Sequence, residues 1–521
     1  MAGLDEAPAA VALERPPDPG LGHYSTNAAM VLAGTARRAP RDLAAQICST
    51  LEGSLGDQLT EVEVAGPGFC NLKMSDRWHR EGVASVLQAG SRFGAVAPSD
   101  DDDAITLVEF VSANPTGPLT AAGARHAAYG DALDRALERS GHRVAREYYV
   151  NDTGGQTQRF ALSIAARMRG TEPPEDGYQG EYVVGLADQL AARGFDAGDI
   201  EALEREGVAA MMEQVKASLE AFGVRFDNFG SERAMHEQGK VDEVLEALRD
   251  SGHAYESEGA LWLRSTEFGD DKDRVLVKAG GEPTYLAGDI AYHLDKLGRA
   301  ETLIDVLGAD HHGHVPRMRA AFLALGEDPD RLEVVLMQLV HLMERGERAQ
   351  MAKRKGEFVT LDELVAEIGV DAARFLLLGR SHDSTVELDL DLARRQSADN
   401  PVYYVQYAHA RIRSIERKAG RVPDPSEVGL DAPIEEAEGA LIRDVIDFPS
   451  EVVAAADKRA PHRLYAYAMA LAASYHAFYR DCRIVGAPDG LEGPRLSVSE
   501  AARIAIAETL GVLGVTAPDS M

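Results

Sequence analysis

The chain has 521 residues, 45% of them hydrophobic, and a formal charge of −31 at pH 7. That length gives room for roughly two to four domains, each able to bury its own core. The acidic excess excludes general affinity for nucleic acid, which draws on clustered Lys and Arg, and leaves only a local basic surface for such contacts.

No run approaches the roughly 18 to 20 apolar residues of a membrane span. MAGLDEAPAAVALERPPDPG has neither a basic nor an apolar leader segment, so cytoplasmic residence without a membrane partner is expected. Cys48, Cys70 and Cys482 form no CxxC pair, which argues against a disulfide framework, a thiolate zinc site and redox chemistry.

In chain order, residues 1 to 95 mix short apolar segments with helix-like stretches, including HYSTNAAMVLA (23–33) and AGPGFCNLKM (65–74), where turn glycines precede an alternating strand. SDDDDA (99–104) reads as a linker. ITLVEFVSA then predicts a strand, NPTGP a loop and ARHAAYGDALDRALERSG a helix, the opening unit of a nucleotide-binding α/β domain. YLAGDIAYHL (285–294) and TLIDVLGADH (302–311) read as further strands, the second followed by a helical VPRMRAAFLALG, so a parallel sheet with crossover helices is expected. From about 386 the pattern is almost wholly helical and predicts a separate bundle. Within it RIRSIERKAGR (411–421) gathers Arg411, Arg413, Arg417, Lys418 and Arg421, either a solvated helical face or a nucleic-acid contact.

Neither GxGxxG nor GxxxxGK[ST] occurs. A phosphate loop of another kind is offered by SANPTGPLTAAGARH (112–126), where Pro115 and Pro118 fix a loop and Thr120 is placed to cap a helix whose first N–H groups can face phosphate. Ala121, Ala122 and Gly123 leave space for a flat base, although such a loop between strand and helix needs no ligand. Asp310 to His314, DHHGH, has spacing that could suit zinc, but it follows a predicted strand directly, and no metal ligand is assigned.

NPTGPL and GDAL, with REYYVNDTGGQ (146–156), DGYQGEYV (176–183), YLAGD (285–289), GADHHGHVPRM (308–318), GEFVTLDELV (356–365), VDAARFLLL (370–378) and NPVYYVQYAHARI (400–412), resemble in this order the arginyl-tRNA synthetases of class I. The resemblance implies a Rossmann-like catalytic domain with insertions over 104–385. Before it stands a small α+β tRNA-contacting domain (1–95), and after it an all-α anticodon-binding bundle (386–521). It implies a ligase that activates arginine with ATP, accompanied by Mg2+, to arginyl-adenylate and charges tRNA(Arg), with a monomer expected. Glu109, Asn114, Tyr285 and Asp289 match the family's arginine contacts. Pro118, Gly123, Asp310, His311 and Met351 match ATP contacts, and Tyr407, Arg411 and Arg413 tRNA contacts.

Both family signatures are altered. His-x-Gly-His reads Thr120, Ala121, Ala122, Gly123, and Lys-Met-Ser-Lys reads Gln350, Met351, Ala352, Lys353, continuing into Arg354. One lost donor to a developing charge costs about 3 to 4 kcal/mol, so losing two uncompensated slows activation roughly ten-thousandfold. The candidates to compensate are the Thr120 hydroxyl, Arg125, His126 one turn beyond Gly123, and the charges of Lys353 and Arg354. Two readings stand at this point: an active ligase, and a non-catalytic relative that binds tRNA or arginine.

Overall fold

The computed structural model describes residues 11, 13–98, 103–348, 359–488 and 490–521. Its first part is an antiparallel sheet of β1 (Leu13–Glu14), β2 (Tyr24–Thr26), β3 (Leu59–Ala65) and β4 (Phe69–Met74) in the order β1-β2-β4-β3. The turn glycines of AGPGF join β3 to β4, with Gly66 in the left-handed region at φ 49°. Helices α1 (Ala28–Ala36) and α2 (Pro40–Leu55) close a small core of Ala29, Leu43, Ala44, Cys48 and Cys70, and α3 (Asp76–Ala89) follows.

The α/β part begins with β5 (Ile105–Glu109), α4 (Ala121–Arg139) and β6 (Arg143–Val150). Helices α5 (Gly155–Met168), α6 (Glu181–Ala192) and α7 (Ile200–Ala221), with their own core, then lead to β7 (Asn228–Ser231). Next come α8 (Glu232–Glu237), α9 (Lys240–Asp250) and a small antiparallel sheet of β8 (Ala254–Ser257), β9 (Ala260–Leu263) and β10 (Arg274–Val277). α10 (Tyr285–Leu297), β11 (Thr302–Gly308), α11 (His314–Leu325) and β12 (Leu332–Met337) complete a five-stranded parallel sheet in the order β12-β11-β5-β6-β7. Alternation decides its two faces: Val108 points to the α4 side, Ile105 and Leu107 to the α10 and α11 side. α4 lies so close to the sheet that Phe110 leaves no room for a Cβ at Gly130.

β13 (Val340–Glu344), β14 (Glu347–Arg348) and β15 (Val386–Asp389) form a third small sheet, with α12 (Leu361–Ile368) and α13 (Val370–Leu377) before β15. The chain ends in α14 (Leu390–Ala393), α15 (Pro401–Ala419), α16 (Glu436–Ile446), α17 (Phe448–Asp457), α18 (His462–Asp481) and α19 (Glu492–Val512), whose apolar faces join the core around α4. Among the described residues no helix is long and apolar enough to cross a membrane.

Two expectations are corrected. Residues 285–294 are not a strand but the start of α10, because Ala287, Ile290, Ala291 and Leu297 recur at helical spacing once the window runs past 294. The strand in 302–311 stops at Gly308, and Ala309–Gly313 make a 3-10 turn.

The side of the sheet facing α10 carries an unusual row. Asp305, Glu109, Glu147 and Asn228 are register partners across β11, β5, β6 and β7, so three buried carboxylates stand abreast. α10 and the residues just after it supply the matching donors. His293 Nε2 lies 2.7 Å from Asp305, Lys296 Nζ 2.7 Å from both Glu109 and Asp305, and Arg299 reaches both oxygens of Glu147 at 2.8 Å. Burial alone would lower the Lys296 pKa, but Asp305 and Glu109 outweigh it and raise it. Lys296→Met is therefore expected to strand two buried carboxylates and destabilise the fold by about 3 to 5 kcal/mol, read from urea unfolding. Wild-type stability in that variant would show that the row does not depend on this cation.

Candidate active site

Immediately after β5 the backbone enters the left-handed region twice, at Val111 (φ 68°) and Ser112 (φ 39°). For a β-branched residue that conformation costs on the order of 1 to 3 kcal/mol and persists only when neighbours impose it. Here they do. The Ser112 hydroxyl donates to Glu109 Oε1 (2.8 Å) and accepts from the Tyr149 N–H (3.0 Å), while the Tyr148 and Tyr182 hydroxyls donate to the carbonyls of Ala113 and Thr116, each at 2.9 Å. The turn leaves Asn114 exposed beyond the C-terminal edge of the sheet.

Glu109, already bonded to Lys296 and Ser112, has two acidic neighbours, neither of which is bonded to a Lys or Arg among the described residues. Asp289 lies in the second turn of α10 and is pushed up to about 6 by burial, with Glu232 and Glu109 adding to the shift and His293 and Lys296 opposing it. Glu232, at the start of α8, is raised by burial; Tyr149 opposes that shift by hydrogen bonding, and the Asn151 amide, oriented to face acceptors, donates to Glu232 Oε2 at 3.0 Å. His314 Nδ1 stands 3.6 Å from Asp289, but burial and then His293 press that ring down to about 4, so near neutral pH it brings no charge. Tyr285 is 63% exposed, its hydroxyl facing Gly154. Glu109, Asp289, Glu232 and Tyr149 thus form one polar cluster with surplus negative charge, complementary to a cation with several N–H donors. Sequence reasoning missed Glu232 and Tyr149. Glu232 directly follows a parallel strand, the same signal that marked Glu109, and Tyr149 shares the face of β6 that carries Glu147.

On the nucleotide side Thr120 caps α4, its hydroxyl accepting the Gly123 N–H at 3.4 Å and keeping its own proton to donate. The helix start is less open than the sequence suggests. The Ala121 N–H is taken by the Val359 carbonyl (3.0 Å), and the Leu361 N–H returns to the Leu119 carbonyl (2.7 Å), so residues 359–361 strap the first turn. Pro118 and Gly123 are half-buried in this strap. Arg125 does not serve here, because its buried guanidinium donates to the carbonyls of Gln338 (2.6 Å) and Ser381 (2.8 Å). His126 is half-buried beside the 309–313 turn; burial and Arg125 press it down to about 4, with Asp310 opposing and His311 adding. Asp310 and His311 are exposed on that turn. Met351, Lys353 and Arg354 lie outside the described residues.

The basic stripe of α15 is broken up in three dimensions. Arg413 is bound by Asp519 (2.9 Å) and Glu416 (2.8 Å), Arg417 donates to the Asp519 carbonyl (3.2 Å), and Arg421 pairs with Glu427. Arg411 instead lies 4.6 Å from the ring centres of both Tyr407 and Tyr479 and, among the described residues, has no carboxylate partner. The Tyr407 ring stacks on Tyr403 at 9°.

Three family profiles match: "Arginyl tRNA synthetase N terminal domain" over 1–74, "tRNA synthetases class I (R), catalytic domain" over 196–413, and "DALR anticodon binding domain" over 405–521. The arginine–tRNA ligase of Carboxydothermus hydrogenoformans is 43% identical over 98% of this chain and 94% of its own. The chain belongs to the arginyl-tRNA synthetase family. Among solved structures, an arginyl-tRNA synthetase of Campylobacter jejuni is 34% identical with a TM-score of 0.80, covering 86% of this chain and all (100%) of that one. The arginyl-tRNA synthetase of Thermus thermophilus is 25% identical with a TM-score of 0.79, covering 98% and 96%. At the positions expected to carry the family's two histidines stand a capping hydroxyl, Thr120, and a bare glycine, Gly123.

His126 is expected to stay neutral in the folded protein well below its ordinary value of 6.5, its histidine C2–H signal titrating toward about 4. Because the folded ring refuses a proton that the unfolded chain accepts, its contribution to stability is lost as pH falls from 6.5 toward about 4. An NMR titration with a midpoint near 6.5 would place the ring in open solvent.

Proposed function

We propose that the chain is an arginine–tRNA ligase that works through a rebuilt phosphate edge. In this reaction the arginine carboxylate attacks the α-phosphorus of ATP and pyrophosphate leaves. A ribose hydroxyl of tRNA(Arg) then attacks the acyl carbon and AMP leaves. The observation that carries the reading is the surplus of carboxylate at Asp289 and Glu232, beside the C-terminal edge of the parallel sheet, in a chain of this family. Nothing found here favours the non-catalytic reading.

Asp289 and Glu232 would share the guanidinium, Tyr149 and Tyr285 would flank it, and Asn114 would meet the backbone end of arginine. Glu109 would act partly through its bond to Lys296, as a fixed wall. Pro118 and Gly123 would border ATP, with Asp310, His311 and Met351 toward its nucleoside. The Thr120 hydroxyl and the neutral His126 ring would donate to the phosphates without adding charge, so the charge falls to Lys353 and Arg354. Mg2+ would arrive on the phosphates of ATP. Tyr407 and Arg411 form a stacking surface suited to an unstacked tRNA base, and Arg413 would join only by leaving Asp519. The divisions 1–95, 104–385 and 386–521 would serve as tRNA-contacting, catalytic and anticodon-binding parts of a cytoplasmic monomer.

Arginine-dependent exchange of pyrophosphate into ATP, assayed with tRNA(Arg) present, tests the reading. Lys353→Ala should remove most of the exchange, and His126→Ala should cost at least about tenfold, or ~1.4 kcal/mol. Folded wild-type protein that binds tRNA yet shows no exchange would sink the ligase assignment.

Arginine affinity should also depend on pH. A proton on Asp289 competes with the guanidinium, so affinity should be flat above about 6 and fall roughly tenfold per pH unit below it. In Asp289→Asn that slope should flatten as overall affinity drops; an unchanged slope would remove Asp289 from the site.

A further inference from the structure

His293 is buried in α10, one turn beyond Asp289, and both of its ring nitrogens have close partners. Nδ1 stands 2.7 Å from the Asp289 carbonyl oxygen, and Nε2 stands 2.7 Å from Asp305 Oδ2 on β11. A carbonyl oxygen can only accept. Asp305 could donate only as an acid, yet Lys296 Nζ lies 2.7 Å from its other oxygen. Burial would raise the Asp305 pKa, but Lys296 and then His293 outweigh it and lower it. A neutral imidazole holds one proton, so it would set a bare nitrogen against one of these two oxygens at hydrogen-bond distance. Two acceptors therefore call for a proton on each nitrogen, and hence for a positive ring.

The charges of the row lead to the same result. Asp305, Glu109 and Glu147 stand against Lys296 and Arg299, which leaves one carboxylate over. Asp295, which also touches Arg299, is matched by Lys240. Among the described residues a charged His293 is what balances the row, and a buried carboxylate without a counter-charge is costly. The other groups around the ring do not supply that charge. Tyr292 of α10 and Phe322 of α11 face it with ring centres at 5.8 and 6.2 Å. His314 of α11, at 6.0 Å, is pressed down to about 4 by burial and then by His293 itself.

We propose that His293 is a positioning residue for arginine: a doubly protonated ring that fixes the Asp289 carbonyl, completes the charge of the row, and keeps the Asp289 carboxylate charged and His314 neutral. The role toward arginine rests on the reading of Asp289 as a partner of the guanidinium; the charge of the ring does not. A cation beside Asp289 favours its carboxylate. The same cation beside His314 disfavours a second imidazolium, which would compete with the ligand for Asp289.

Ring-nitrogen NMR signals of the whole wild-type protein near neutral pH test the charge directly. Both nitrogens of His293 should give signals of protonated nitrogen, and the signal of a bare nitrogen there would overturn the proposal. In His293→Gln, whose amide can still donate to Asp305 without charge, the His314 C2–H titration should move upward from about 4. The pH below which arginine affinity falls, measured by calorimetry, should move upward from about 6 by roughly one pH unit. His293→Lys, which returns the charge, should bring both back toward wild type. Either profile left at its wild-type pH in folded His293→Gln would overturn the positioning role. Wild-type protein that binds no arginine would sink the arginine reading alone, because the ring signals and the His314 titration still decide the charge of His293.

Discussion

Three carboxylates buried side by side on adjacent strands cannot be left without partners, since each would then carry a desolvation cost of several kcal/mol. Asp305, Glu109 and Glu147 are in that position, and α10 answers them with His293 and Lys296, and Arg299 just beyond its end. The helix thus has little freedom of rotation or slide: its apolar side must face the sheet core while its cations meet the row. Asp289 and Tyr285 precede those donors by about one to four helical turns, so the acidic cluster at the sheet's edge inherits its position from this match. The strained turn at Val111 and Ser112 is part of the same arrangement, because Ser112 is tied to a Glu109 carboxylate that Lys296 already fixes.

The two halves of the site solve opposite problems. At the arginine end negative charge is left in surplus, and its cost is visible in the raised values of Asp289 and Glu232. In the proposed site a guanidinium would remove that cost on arrival, which would tie affinity to discrimination: a neutral ligand of similar shape would leave both acids buried and unmatched. At the phosphate end the described residues offer donors without charge. His126 is neutral, Arg125 is spent on two carbonyls and Thr120 is a hydroxyl. In the proposed reaction, charge neutralisation at such an edge would fall to Lys353 and Arg354.

An acidic chain that must meet a polyanion has to localise its cations. In and just after α15, Arg413 and Arg421 are held by the chain's own acids and Arg417 by a backbone carbonyl, leaving Arg411 between two tyrosines as a stacking cation and not part of a continuous stripe.

Some of this was legible in the residues alone. ITLVE alternates as a strand, NPTGPLT breaks and recaps as a loop and helix start, and the series of segments from NPTGPL to NPVYYVQYAHARI carries the family, because these are local patterns or chemical signatures that need no neighbours. Residues 285–294 misled, since a short apolar run fits strand and helix alike until His293, Lys296 and Arg299 find their carboxylates. Arg125 and His126 are adjacent in sequence, yet one guanidinium turns to carbonyls at 338 and 381 while the other ring meets the 309–313 turn. Glu109 looked free to hold a guanidinium until Lys296 was found on it. Composition and pattern determined which groups this protein has; tertiary structure alone decided which are already matched, because the energy of a buried charge depends on what stands within a few ångströms of it and not on its neighbours along the chain.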